Sequence, residues 1–286
     1  MQEIAPKIFI ETAYPGVTLG AINGSHGLIL IDSPIRQEDA RAWRSALLNL
    51  GGGVDRMLII LDGHYDRTVG VRNMDCTVVG HTRLLDIYRS RPVTFKAQGS
   101  ETGAEWEQQS NLGSIRWASP EITFTDQLTI DWDDSPIVLQ HRPGPSSAAI
   151  WVELVKEKTL FVGDLVTPGQ PPFLASADLP LWIEQLNTLM GKNYKNYWII
   201  SGRGGLVAGE EVRKQLKFLE KAHNQIEALA AKKSRPEEAQ LLANSLASSF
   251  STPPEQKEVF RQRLRYGLYH YYVRRYWPEE SAALEE

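Results

Sequence analysis

Apolar residues in the first two thirds of the chain fall into short runs. Lys7–Glu11, Val17–Ile22 and Leu28–Asp32 are apolar or alternating, and Pro-Gly, Asn-Gly and Ser-Pro bound them, a pattern of strands joined by tight turns. From Gln37 to Leu50 the period changes. Ala40, Trp43, Leu47 and Leu50 recur at helical spacing, and Gly51-Gly52-Gly53 ends the predicted helix. Met57–Leu61 is a continuous apolar run, as in a strand buried on both faces. Cys76–Val79 predicts another strand and Arg83–Arg89 a short helix, while the polar, weakly patterned stretch 90–119 reads as an irregular insertion or lid. Strands are then predicted at Ile122–Phe124, Leu128–Ile130, Ile137–Gln140, Ala149–Glu153 and Thr159–Val162. Asp178 caps a helix running to about Leu189, and Tyr197–Ser201 reads as a last strand.

From Val207 onward helix formers dominate. Ser234-Arg-Pro-Glu and Thr252-Pro-Pro-Glu each match a capping box with proline in the first turn, so three helices are expected. The chain therefore divides into an αβ body, residues 1–206, and a helical extension, residues 207–286, with no internal repeat.

Composition narrows the partners. Of 286 residues, 31 are Lys or Arg and 35 are Asp or Glu, so the net charge of −4 does not suggest a general nucleic-acid or membrane binder. The single cysteine, Cys76, excludes a disulfide framework and a multi-thiolate zinc site. The start lacks a signal-peptide pattern and no apolar run reaches the roughly 20 residues of a membrane helix, so a cytoplasmic location is expected.

Candidate chemistry gathers at strand ends. In Leu58-Ile-Ile-Leu-Asp62-Gly-His64-Tyr-Asp66-Arg67 a buried strand runs into a loop with polar side chains at alternate positions, which can converge as a metal or catalytic site requires. His141-Arg-Pro-Gly144-Pro145, Gly163-Asp164 and Ser201-Gly202-Arg203 each follow or end a later strand.

This ordered series, together with Leu28-Ile-Leu-Ile-Asp32-Ser33, resembles the metallo-β-lactamase superfamily over roughly residues 7–206. The resemblance implies an α/β (α+β) fold, a four-layer αββα sandwich carrying a dinuclear metal site at one edge. It also implies hydrolysis of esters, thioesters, lactams or phosphodiesters by a metal-bound hydroxide. Family ligands come from His-x-His-x-Asp-His, a His after Pro-Gly, the Asp of Gly-Asp and a late Gly-His. In this chain the corresponding positions hold Asp62, His64, Asp66, Arg67, Pro145, Asp164 and Arg203. His64, Asp66 and Asp164 match, whereas Arg67, Pro145 and Arg203 offer no side-chain ligand.

Two arginines in the position of a second metal oppose a divalent ion and can themselves pair with Asp66 and Asp164. The leading expectation is therefore a non-catalytic or altered-function relative, a pseudoenzyme without a cofactor, that binds a small molecule or protein. The alternative is a hydrolase with one divalent ion (Mn, Fe, Mg or Zn) on Asp62, His64 and Asp164, with Asp66 as the catalytic residue and His141 as a substitute ligand. Arg67 and Arg203 could also recognise an anion. His26 and His81 read as polar loop residues, and His223 and His270 carry no motif. Between Lys257 and Trp277, basic residues (Lys257, Arg261, Arg263, Arg265, Arg274, Arg275) interleave with aromatics, which could bind nucleic acid. The stripe Phe260, Leu264, Leu268, Tyr271, Tyr272 and Tyr276 favours a helix packed on the body, with its arginines snorkelling to the surface or a contact in a homodimer. Pro168–Phe173, Trp106 and Trp117 are candidates to line a pocket.

Overall fold

The computed structural model describes residues 1–91, 101–109, 112, 116–133 and 135–279. Of the predicted 90–119 insertion, residues 92–100, 110, 111 and 113–115 lie outside the described residues; its described part includes a short 3₁₀ turn, Glu105–Gln108. Two sheets form the centre. The first contains β1 (Gln2–Ala5), β2 (Ile8–Glu11), β3 (Leu19–Asn23), β4 (Gly27–Ile31), β5 (Asp55–Ile59), β6 (Thr77–His81) and β7 (Ile122–Phe124), in sequence order. Its first four strands are antiparallel, and β4 to β7 run parallel. The second sheet contains β8 (Gln127–Ile130), β9 (Ile137–His141), β10 (Ile150–Leu154), β11 (Thr159–Phe161), β12 (Trp198–Ser201) and β13 (Gly205–Leu206), in the order β13-β12-β11-β10-β9-β8.

Alternation along the strands builds the layers. Ile29, Ile31 and Ile59 of the first sheet meet Leu139, Val152, Phe161 and Ile200 of the second, forming the core between the sheets. The opposite faces of β4 and β5, Leu28, Leu30 and Leu58, are covered by Ala40, Trp43 and Leu47 of α1 (Gln37–Leu47). This two-sided burial accounts for the continuous apolar runs of these strands. On the outer face of the second sheet, Trp151 and Leu160 pack with α4 (Leu179–Leu189) and α5 (Gly209–Ala231). The result is the αββα sandwich. The C-terminal helices α6 (Pro236–Ala247) and α7 (Lys257–Tyr276) extend the same outer core through Ala243, Leu246, Leu264, Leu268 and Tyr272. Two short helices, α2 (Tyr65–Thr68) and α3 (Arg83–Arg89), follow β5 and β6.

Several boundaries differ from the sequence reading for physical reasons. β1 is an edge strand with a largely polar sequence, so it lacks an apolar pattern. β13 follows the expected last strand but is only a Gly-Leu pair. The N-cap of α6 is Arg235 rather than Ser234, because the Glu238 carboxylate accepts from the Arg235 backbone N–H. Thr252-Pro-Pro-Glu opens a 3₁₀ turn, and α7 itself begins at Lys257.

Candidate functional site

The parallel pairing of β4 with β5 places their C-terminal ends side by side. Asp32 turns out of β4 with φ 57, an uncommon left-handed conformation that aspartate tolerates better than most residues. Its Oδ1 accepts from the Leu61 N–H at 3.0 Å. Beyond β5, Asp62 Oδ1 accepts from the His64 backbone N–H at 2.8 Å, and His64 Nδ1 accepts from the Asp66 N–H at 3.2 Å, capping α2. The Asp-x-His-x-Asp spacing thus folds as a self-capped turn, and α2 directs Arg67 into the interior.

Arg67 is fully buried and joins three acids from three segments. NH1 donates to Asp32, NH2 donates to Asp164, and Nε lies 3.1 Å from Asp62 Oδ2 as an ion pair outside hydrogen-bond geometry. Asp164 is held in the turn after β11, beside Gly163 with its φ of 58. Gly202 leaves room for the guanidinium, since a Cβ there would fall within 2.6 Å of three of its atoms.

Arg203 follows β12 and closes the other side. Its Nε donates to both Asp164 oxygens at 3.0 and 3.1 Å, and NH1 donates to Asp66 Oδ2 at 2.6 Å and to the Gly16 carbonyl at 2.8 Å. NH2 lies 2.9 Å from His64 Nδ1. Because that nitrogen already faces the Asp66 N–H, it acts as acceptor, and His64 carries its proton on Nε2. Asp66 Oδ1 accepts from the Trp106 N–H at 2.8 Å.

These contacts set the charge states. Burial and the nearby Arg203 push His64 down to about 3, so it is neutral. Burial pushes Asp32 up to about 6 against the pull of Arg67, and it raises Asp62 as well. Burial also works against ionised Asp66 and Asp164, but Arg203 overcomes it at both, with Arg67 helping at Asp164, and both stay below the usual carboxylate range. Charge stabilisation therefore centres on Asp66 and Asp164, the two acids held by Arg203.

The donor set does not fit a metal. At Asp62, Oδ1 takes the His64 N–H and Oδ2 faces Arg67, both Asp164 oxygens face guanidinium groups, and His64 presents an N–H on its remaining nitrogen. Among the described residues no three His, Cys, Asp or Glu side chains are arranged to hold an ion. Asp62, His64 and Asp164 are thus near one another but are separated as ligands by Arg67 and Arg203. His141 does not join them. It stacks on His81 with ring centroids 3.7 Å apart, and its Nε2 lies 2.9 Å from the Ser147 carbonyl.

A cavity of about 370 Å³ opens above this network. Asp62, His64 and Asp164 contribute to its base, Pro145 and Ser146 to one side, and Phe173 and Arg263 to another. Phe173 stacks near His64, with centroids 4.2 Å apart, and both Arg203 and Arg263 lie over its ring. Trp106 and Trp117 pack against Tyr65 instead of lining the cavity. The motif-based set did not count Asp32 as a site residue, although its segment Leu28–Ser33 belongs to the family-like series. It also placed Arg263 at the surface. This residue is buried, and its guanidinium donates to Gly103 O, Pro171 O and Gln170 Oε1.

The metallo-beta-lactamase superfamily model matches residues 78–202. Among solved structures, a metallo-beta-lactamase family protein from Thermus thermophilus is 18% identical, with a TM-score of 0.65, over 98% of this chain and 96% of its own. A metallo-beta-lactamase from Pontibacter korlensis is also 18% identical, with a TM-score of 0.59, over 77% of this chain and 97% of its own. The stereoselective inverting sec-alkylsulfatase Pisa1 from Pseudomonas sp. is 16% identical, with a TM-score of 0.67, over 96% of this chain. The match covers 49% of that sulfatase, so this chain spans about half its length. No curated protein matches the sequence. The family-model match spans residues 78–202, less than half of the chain, and the solved structures share its fold. No helix among the described residues is long and apolar enough to cross a membrane.

Proposed function

We propose that this chain is a ligand-binding member of the superfamily in which a buried arginine–aspartate network stands where the metals would, and that it does not hydrolyse substrates with a metal-activated water. The observation that carries this reading is the single guanidinium of Arg67 joined to Asp32, Asp62 and Asp164. A cation at Asp62 and Asp164 would have to displace a group that is permanently charged and already paired. Neutral His64, with Nδ1 occupied, supports the same reading. The cleft itself persists, and its volume lies at the lower end of the roughly 300–1,000 Å³ typical of small-molecule sites.

The test is turnover of p-nitrophenyl esters, a thioester and bis(p-nitrophenyl) phosphate, with added Mn²⁺, Fe²⁺, Mg²⁺ or Zn²⁺ and with chelator. The expected outcome is no metal-dependent turnover, and a background rate that His64→Ala leaves unchanged. Metal-dependent turnover abolished by His64→Ala would establish the single-ion hydrolase instead.

A further inference from the structure

Two arginines on the cavity wall stand outside the network. Arg91 donates from NH1 to Thr68 Oγ1 at 2.9 Å and from NH2 to the Gly63 carbonyl, which ties it to the motif loop. Its guanidinium carbon lies 4.0 Å from the Tyr65 ring centroid and 4.6 Å from that of Trp117. Arg263, from α7, is held by carbonyl and amide oxygens and stacks 4.1 Å over Phe173. Arg263 is buried and Arg91 half-buried; neither has a carboxylate within ion-pair distance among the described residues, whereas Arg67 and Arg203 each have at least two. Burying a cation against neutral oxygens and aromatic faces is costly unless an anion completes it.

The remaining polar group at the base points the same way. With Nδ1 of His64 engaged, its Nε2–H is a fixed neutral donor on a residue that contributes to the cavity. Asp62 and Asp164 also contribute to the base, so a second negative charge on a ligand would meet carboxylates. Elsewhere the lining combines the apolar Ile87, Leu174 and Phe173 with neutral hydroxyl residues such as Ser146, Ser147 and Ser176. The close docking of α7, where a Cβ on Gly267 would fall 3.1 Å from the Leu174 backbone, keeps Arg263 at this wall.

We infer that the cavity takes a small organic monoanion, an aliphatic carboxylate or alkyl sulfate. Its oxyanion head would accept from Arg91 and the Nε2–H of His64, and its apolar body would lie along Phe173, Leu174 and Ile87. Arg263 acts through its field and through Phe173, which it positions. The inference rests on the ligand-binding reading above.

Calorimetric titration of the full chain with hexanoate, hexyl sulfate, 1-hexanol and inorganic phosphate tests it. Saturable binding of hexanoate or hexyl sulfate is expected, at least roughly tenfold tighter than hexanol, because charge-assisted hydrogen bonds to an arginine supply the difference. The tighter of the two identifies a planar or a tetrahedral head group. Arg91→Gln should weaken the anion by roughly tenfold or more while leaving hexanol unchanged, and Arg91→Lys should fall between. If Arg91→Gln does not fold, as judged by its melting curve, Arg91→Lys alone carries the comparison. Equal binding of hexanol and hexanoate, phosphate binding more tightly than both organic anions, undiminished anion binding by the folded Arg91 variant, or no saturable binding would overturn the inference. Each of these would leave the non-hydrolytic reading intact. Metal-dependent cleavage of hexyl sulfate would overturn that reading instead.

Discussion

Replacing Arg67 by methionine would remove the cation shared by Asp32, Asp62 and Asp164 while roughly preserving the length of the side chain. Asp164 would retain Arg203, but Asp32 and Asp62 would keep no ion-pair partner among the described residues. Breaking a buried pair by removing one partner costs about 3–5 kcal/mol, because the other charge stays desolvated. At about 2–4 °C per kcal/mol for a chain of this size, the melting temperature should fall by roughly 6–20 °C. Urea denaturation followed by tryptophan fluorescence reads this directly, since the chain has 8 tryptophans. The deficit should be smaller at pH 5 than at pH 7.5, because the abandoned acids can take up protons and become neutral. Arg67→Lys should recover part of the loss, as it keeps the charge without the three-way fork. A deficit below about 1 kcal/mol for Arg67→Met, independent of pH, would refute the network as the element that balances these acids.

Other consequences concern pH, packing and the origin of the network. Asp66 and Asp164, held below their unfolded-state pKa values, contribute stability that is present above the ordinary carboxylate range and lost as pH falls. Asp32, raised to about 6, contributes stability that is full below its unfolded pKa near 4 and lost as pH rises through 6. Between about pH 4 and 6 this opposes the gain with pH from His64, which is held neutral down to about 3, so Asp32→Asn should make urea midpoints rise more steeply with pH than in the native chain; an unchanged slope would exclude a contribution from Asp32. Gly202→Ala should cost about 1–3 kcal/mol by driving a methyl group into the Arg67 guanidinium, a loss visible as a lower melting temperature, and native-like stability would contradict that contact. The double substitution Arg67→His and Arg203→His removes both competing cations beside Asp66 and Asp164. A folded double variant should acquire calorimetrically detectable zinc binding. Failure to do so would show that the arginines are not what opposes the metal.

The sandwich was legible because its strands are runs with two-sided or alternating burial, and because α1 and α4 carry clear stops and caps. Edge strands were not: β1 has polar exposed positions, and β13 is too short to carry a period. At the site, Asp62, His64, Asp66, Arg67, Asp164 and Arg203 could be picked out because each sits at a strand end within the family-like series. Asp32 stands in the same series, but its pairing with Arg67 follows from the parallel register of β4 and β5, which spacing along the chain does not show. Arg263 carried a signal that was outweighed by its charge. It lies three residues after Phe260 and one before Leu264, on the buried face of α7, so its spacing marked it as interior. What spacing could not reveal was the set of oxygens more than 90 residues away that accept from it.

The most direct test of the arginine–aspartate network as the replacement for a metal centre is elemental analysis of the full chain. The protein would be produced with zinc, manganese and iron supplied, then desalted without chelator. The account predicts substoichiometric metal in a folded protein whose stability is unchanged by chelator. One or two equivalents of a transition metal, retained through desalting and lost together with stability on chelation, would contradict it.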